Sequence, residues 1–149
     1  GLWFGNFEFN GGIHTLVKYI AEYFGIDNSV QLMGKIMPLL VVVFVIGVSL
    51  FNKGKNVRDL CMIMVMALAF YLFTSSTVHP WYVAMLLAIS LFTPYRFPLV
   101  WSFTIVLSYS FYKNEAFIDN YWLLFVQYAA VFGVLIYDLK NMSRHPSAI

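Results

Sequence analysis

From residue 30 onward, apolar tracts alternate with short polar breaks along the chain. The first tract covers residues 30–51, with an uncharged core over 36–51. Lys35 lies near one end of it, where its aliphatic stem can reach toward headgroups, and Pro38 is placed to kink it. Further tracts cover residues 60–73, 80–92, 97–112 and 121–137. The breaks between them are 52–59, 74–79, a turn with Pro94 and Pro98 around Arg96, and 113–120. The tracts at 60–73 and 80–92 fall short of the ~20 residues of a full membrane span unless turn residues contribute.

Ahead of these tracts the period changes. Ile13, Leu16, Val17, Ile20, Ala21 and Phe24 recur at the spacing of one helix face, with His14, Thr15, Lys18, Glu22 and Tyr23 opposite them. About twelve residues at ~1.5 Å each cannot cross a hydrocarbon layer of ~30 Å, so this helix should lie flat at the interface or re-enter partway. Residues 1–10 are aromatic-rich, lack a helical period and carry too many polar breaks to span.

The pattern therefore predicts an all-α, polytopic integral membrane protein with about five transmembrane helices and one amphipathic interfacial or re-entrant helix. Its divisions are an extracytoplasmic part over 1–29, a five-helix membrane region over 30–137 and a cytoplasmic tail over 138–149. Composition agrees. Of 149 residues 61% are hydrophobic and 11% charged, with mean hydropathy +0.76, against roughly 25% charged residues in soluble domains. A net charge of +2, scattered along the chain, excludes nucleic acid as a natural partner. Cys61 is the single cysteine, which rules out an internal disulfide and a cysteine metal cluster. Gly1 rather than Met opens the chain and no signal peptide is visible, so the expectation is the later part of a longer protein.

Lysine and arginine set the orientation, because cytoplasmic loops carry their excess. Lys53, Lys55, Arg58, Arg96, Lys140 and Arg144 fall on one side; Lys18, Lys35 and Lys113 fall on the other. The first side should be cytoplasmic. Glu8, Glu22, Asp27, Glu115, Asp119, the amphipathic helix and the turn at His79 then share the extracytoplasmic face.

Candidate chemistry gathers at Thr74-Ser75-Ser76-Thr77-Val78-His79-Pro80-Trp81-Tyr82. Pro80 disfavours helix at the residue before it and suits a first helical turn, so one helix should end near Phe73 and the next should start at Pro80. His79 would then stand at a helix N-terminus, where free N–H groups and the dipole favour an anion such as phosphate that a protonated imidazole also contacts. Trp81 and Tyr82 are amphipathic rings suited to headgroup level. The plainer reading of the same residues is an interhelical turn with an aromatic anchor. Glu8, between Phe7 and Phe9, is a weak candidate for a general base raised by desolvation. No phosphate loop, paired-histidine zinc motif or serine elbow occurs, so no cofactor and no metal are expected.

A small polar turn, Val78-His79-Pro80-Trp81-Tyr82 opening the next tract, an arginine-bearing turn and Leu99-Val100-Trp101-Ser102 resemble the C-terminal half of bacterial GT-C membrane glycosyltransferases of the polyprenyl-phosphate-mannose type. Phe7-Glu8-Phe9-Asn10-Gly11-Gly12-Ile13 resembles the extracytoplasmic segment before their last spans. The resemblance covers most of the chain. It implies an enzyme of the inner (plasma) membrane with an extracytoplasmic active site, and a polyprenyl-phosphate-linked sugar as donor. It further implies a glycan or lipid acceptor, membrane lipids as partners, and a part in the lipid-phosphate and acceptor cavity, for which His79, Trp81 and Tyr82 are the donor-phosphate-binding candidates on the helix N-terminus argument above. The principal catalytic carboxylate of that superfamily lies in a first outer loop absent from these residues. The rival reading is a non-enzymatic membrane scaffold or a transporter.

Overall fold

The computed structural model describes residues 9–25, 29–51, 56–113 and 121–144. Among these the fold is all-helical, apart from one isolated parallel bridge between Phe9 and Thr77. In order come α1 (Gly12–Tyr23), α2 (Ser29–Phe51), α3 (Val57–Thr74), α4 (Pro80–Ser90), α5 (Phe97–Thr104), a 3-10 helix (Ile105–Lys113) and α6 (Tyr121–Arg144).

Proline positions explain the punctuation. Pro80 occupies the first turn of α4 and Pro98 that of α5, where a missing N–H is harmless. Pro38, by contrast, lies inside α2. The tract expected over 97–112 divides into α5 and the 3-10 helix, whose greater rise per residue stretches it. Together the two rise about 30 Å along the chain, whereas α4, at ~1.5 Å per residue, rises only about 16 Å. Among the described residues, α3 and α6 are the two helices long and apolar enough to cross a membrane. Helix α6 continues through Asp138 to Arg144.

The core lies among α3, α4, α5 and α6 and is centred on Phe73. That ring stacks on Trp101 at 4.5 Å and on Phe132 at 4.6 Å, with Phe97 and Tyr128 beyond. Val65, Ala69, Leu72, Val83, Leu86 and Val131 fill the layers around it. Each ring pair adds about 0.5–1.5 kcal/mol beyond area burial. Trp101 buries its indole N–H without a hydrogen-bond partner. Helix α2 packs on α3, where Phe44 stacks on Phe70 at 4.3 Å, and exposes Leu39, Val42, Val43, Ile46 and Leu50.

Helix α1 takes close to the expected residues and turns much of its apolar stripe outward. His14, Thr15 and Ala21 are buried against the bundle, while Leu16, Tyr19, Ile20, Tyr23 and Phe24 are exposed. Small and polar side chains form its inner face because Gly11 and Gly12 bring its start hard against the turn and α6: a Cβ on Gly11 would stand 2.7 Å from the Ser76 carbonyl oxygen, and one on Gly12 would run into the Tyr128 ring.

Candidate functional site

The turn between α3 and α4 is built from its own hydroxyls. Thr74 Oγ1 donates back to the carbonyls of Phe70 (2.9 Å) and Tyr71 (3.1 Å), closing the last turn of α3. Ser75 Oγ donates to the Thr77 carbonyl at 3.0 Å and accepts from the Thr77 N–H at 3.3 Å. These local bonds give the backbone an alternative to helix and stop α3 one residue after Phe73. His79 follows as the N-cap of α4 with φ −81° and ψ 151°, and its side chain makes no capping hydrogen bond.

Residues 9–12 dock onto this turn. The Phe9 N–H donates to the Ser76 carbonyl at 3.1 Å and the Val78 N–H donates to the Phe9 carbonyl at 2.8 Å. Asn10 then turns the chain into α1 with φ 55°, a left-handed conformation that asparagine tolerates better than most residues. It is fully buried: Gln127 Nε2 donates to its Oδ1 at 3.1 Å, and the Tyr128 hydroxyl donates to its carbonyl at 2.8 Å. One short segment is thus held by the turn through main chain and by α6 through side chains.

His79, Trp81 and Tyr82 do come together. The imidazole stacks on Trp81 at 4.3 Å, with planes 11° apart, and on Phe9 at 5.1 Å; Tyr82 meets it edge-on at 5.5 Å. Its Nδ1 is buried with no hydrogen-bond partner. Desolvation by these rings lowers the His79 pKa below the ordinary 6.5. Burial therefore works against the protonated His79 of the expectation and favours the neutral ring, which can donate one N–H to an oxyanion. Trp81 is 60% exposed, beside the half-buried imidazole. Glu8 lies outside the described residues. Among the described residues, no three His, Cys, Asp or Glu side chains gather as a metal site.

A second polar centre lies at the other end of α4 and α5. The buried Asp138 carboxylate of α6 accepts from the backbone N–H groups of Arg96 (2.7 Å) and Phe97 (3.0 Å), through one oxygen, and so caps the start of α5 across the bundle. Neighbouring Tyr95 has its phenol pKa raised, first by burial and then by the Asp138 charge, so it stays neutral. Reading Asp138 as the start of a polar tail missed this role. The signal was present in its spacing, because Gln127, Val131, Leu135 and Asp138 share one helix face. Asn10, Gln127 and Tyr128 were also missed, and Gln127 as the lone amide in an apolar tract was the available sign. No family model, characterised protein or solved structure matches the chain.

Proposed function

We propose that this chain is the C-terminal part of a polytopic membrane glycosyltransferase that moves a sugar, mannose by the resemblance, from a polyprenyl phosphate to an extracytoplasmic glycan or lipid acceptor. The observation that carries this reading is the bridge between Phe9 and the turn at Ser76 and Val78. The two stretches whose residues support the resemblance most, 7–13 and 78–82, meet at one end of the bundle.

In this reading α2, α3, α4 with the turn after it, α5 with the 3-10 helix, and α6 are the five segments that cross the inner membrane. Arg58, Arg96, Lys140 and Arg144 mark the cytoplasmic end, and His79 lies at the outer end. The exposed face of α1, Leu16, Ile20, Tyr23 and Phe24, lies in the interface with exposed Trp81, Tyr121 and Trp122.

Transfer breaks the bond between the sugar's anomeric carbon and the lipid phosphate oxygen and forms one to the acceptor oxygen. The acceptor's proton goes to a base, and the electron pair of the broken bond leaves on the phosphate. A base outside the described residues takes the proton. The leaving oxygen needs a donor aimed at it, and His79 at the start of α4 supplies one through a neutral ring N–H; Pro80 has no N–H, and that of Tyr82 is already given to the His79 carbonyl. Trp81 and Tyr82 cover the phosphate from water. A buried ionisable group such as Asp138 would suit a transporter, but this carboxylate is occupied as a helix cap.

The test is turnover of the full-length enzyme with a polyprenyl-phosphate sugar donor, for wild type and His79→Ala, normalised to folded protein. Loss of a donor to a developing oxyanion lowers kcat roughly 100-fold. Equal turnover at saturating and limiting donor removes His79 from the reaction.

A further inference from the structure

The buried amide pair between α6 and residue 10 is unexplained by stability. Gln127 is 1% exposed within an apolar helix. A hydrogen bond between two neutral amides adds about 0.5–1.5 kcal/mol net, and an apolar pair of the same shape would serve almost as well. What the amides add is a single register, because a half-satisfied pair in a low-dielectric core is costly.

We infer that Gln127 and Tyr128, acting through Asn10, are positioning residues that hold the Phe9 ring against the His79 imidazole. This inference rests on the reading of the turn as the donor-phosphate end. The chain of contacts is continuous. Gln127 fixes the Asn10 side chain at 3.1 Å and Tyr128 its carbonyl at 2.8 Å. Asn10 is held at φ 55°, which sets the direction in which Phe9 leaves it. Phe9 is pinned on both main-chain groups by Ser76 and Val78, and its ring lies 5.1 Å from the imidazole. Gly11 adds no slack, since its Cβ position is filled by the Ser76 carbonyl. Two rings, Phe9 and Trp81, therefore flank His79, and one of them is anchored to α6 rather than to the turn itself. Any slip of α6 against the turn reaches His79 through Phe9, which makes α6 a determinant of how the imidazole is presented to a phosphate.

Hydrogen–deuterium exchange at the imidazole C2 of His79, read by peptide mass spectrometry at one fixed pH, tests the contact directly in the full chain in detergent. Gln127→Met keeps volume and removes the donor; Tyr128→Phe keeps the ring and removes only the hydroxyl. Gln127→Met should speed exchange at His79 roughly five-fold, and Tyr128→Phe should act in the same direction but less, with amide exchange in the middle of α3 unchanged. Unchanged His79 exchange in the folded variants overturns the inference, and so does an increase matched throughout α3, which reports general loosening. If Gln127→Met fails to fold, Tyr128→Phe decides alone. In the full-length enzyme, Tyr128→Phe should raise the donor KM more than it lowers kcat. Should His79→Ala turn over normally, the transferase role of the turn falls, while the exchange result still judges the positioning contact by itself.

Discussion

The two polar centres of this bundle lie at matching depths along α6 and are finished differently. Gln127 stands six residues from the start of the helix and Asp138 six from its end, so each lies about 9 Å inside. At the Asp138 end a charge is buried and its accepting oxygen is engaged by two backbone N–H groups. At the Gln127 end the two amides bond each other, yet His79, stacked on the neighbouring Phe9, keeps a buried Nδ1 with no partner. Burial of polar groups is costly unless they are paired, so a paired centre reads as architecture and an unpaired one as a place kept ready for something else.

The comparison breaks most sharply at Asp138. Asp138→Leu leaves the part-buried N–H of Arg96 and the buried N–H of Phe97 without an acceptor and should destabilise the fold by about 2–3 kcal/mol. Asp138→Asn keeps an acceptor oxygen but loses the charge, and should lie about halfway between. Thermal unfolding in detergent reads both. If Asp138→Leu unfolds at the wild-type temperature, the carboxylate is not the cap that separates the two ends.

At the other end, close approach rather than charge holds the parts together. Gly12→Ala places a methyl into the Tyr128 ring and Gly11→Ala places one against the Ser76 carbonyl, so each should cost about 1–3 kcal/mol by forced displacement. Gly11→Ala should be the worse of the two, because backbone yields less than a ring. Gly133 offers the control: a Cβ there meets nothing within 4 Å, and Gly133→Ala should be neutral or stabilising by up to about 1 kcal/mol in a helix. Equal effects at Gly11 and Gly133 would show that residues 9–12 do not dock on the turn as described.

Much of the helical order was legible in the sequence because proline and hydroxyl residues act locally. Pro80 starts α4, and Thr74 and Ser75 end α3, by bonds that span at most four residues. Contacts between distant parts were not legible. Nothing in a one-dimensional pattern pairs Asn10 with Gln127 or Asp138 with Phe97, since each joins elements far apart in the chain. The apolar stripe of α1 was read correctly as a stripe. Its facing was left open by the sequence, because an apolar face turns inward in water and outward in lipid, and the stripe is the same in both.

The smallest expected effect, and the one that most directly separates the two ends, is the pH dependence carried by His79. Its folded pKa lies below the ordinary 6.5, through desolvation, whereas in the unfolded chain it should titrate near that value. Between those two values the unfolded state binds more protons, so stability rises with pH across that window. The contribution is fully present above 6.5 and is lost as pH falls through the lowered folded value. The size is modest because the imidazole is only half-buried and partly screened. His79→Gln, which does not titrate, supplies the baseline, and subtracting its unfolding midpoints from those of wild type between pH 5 and 7.5 isolates this one group. Wild type should lose midpoint relative to the variant as pH is lowered through that window. The opposite slope would mean that the folded state holds the protonated ring, and the turn would then be a cationic phosphate site rather than a neutral donor flanked by two aromatic rings.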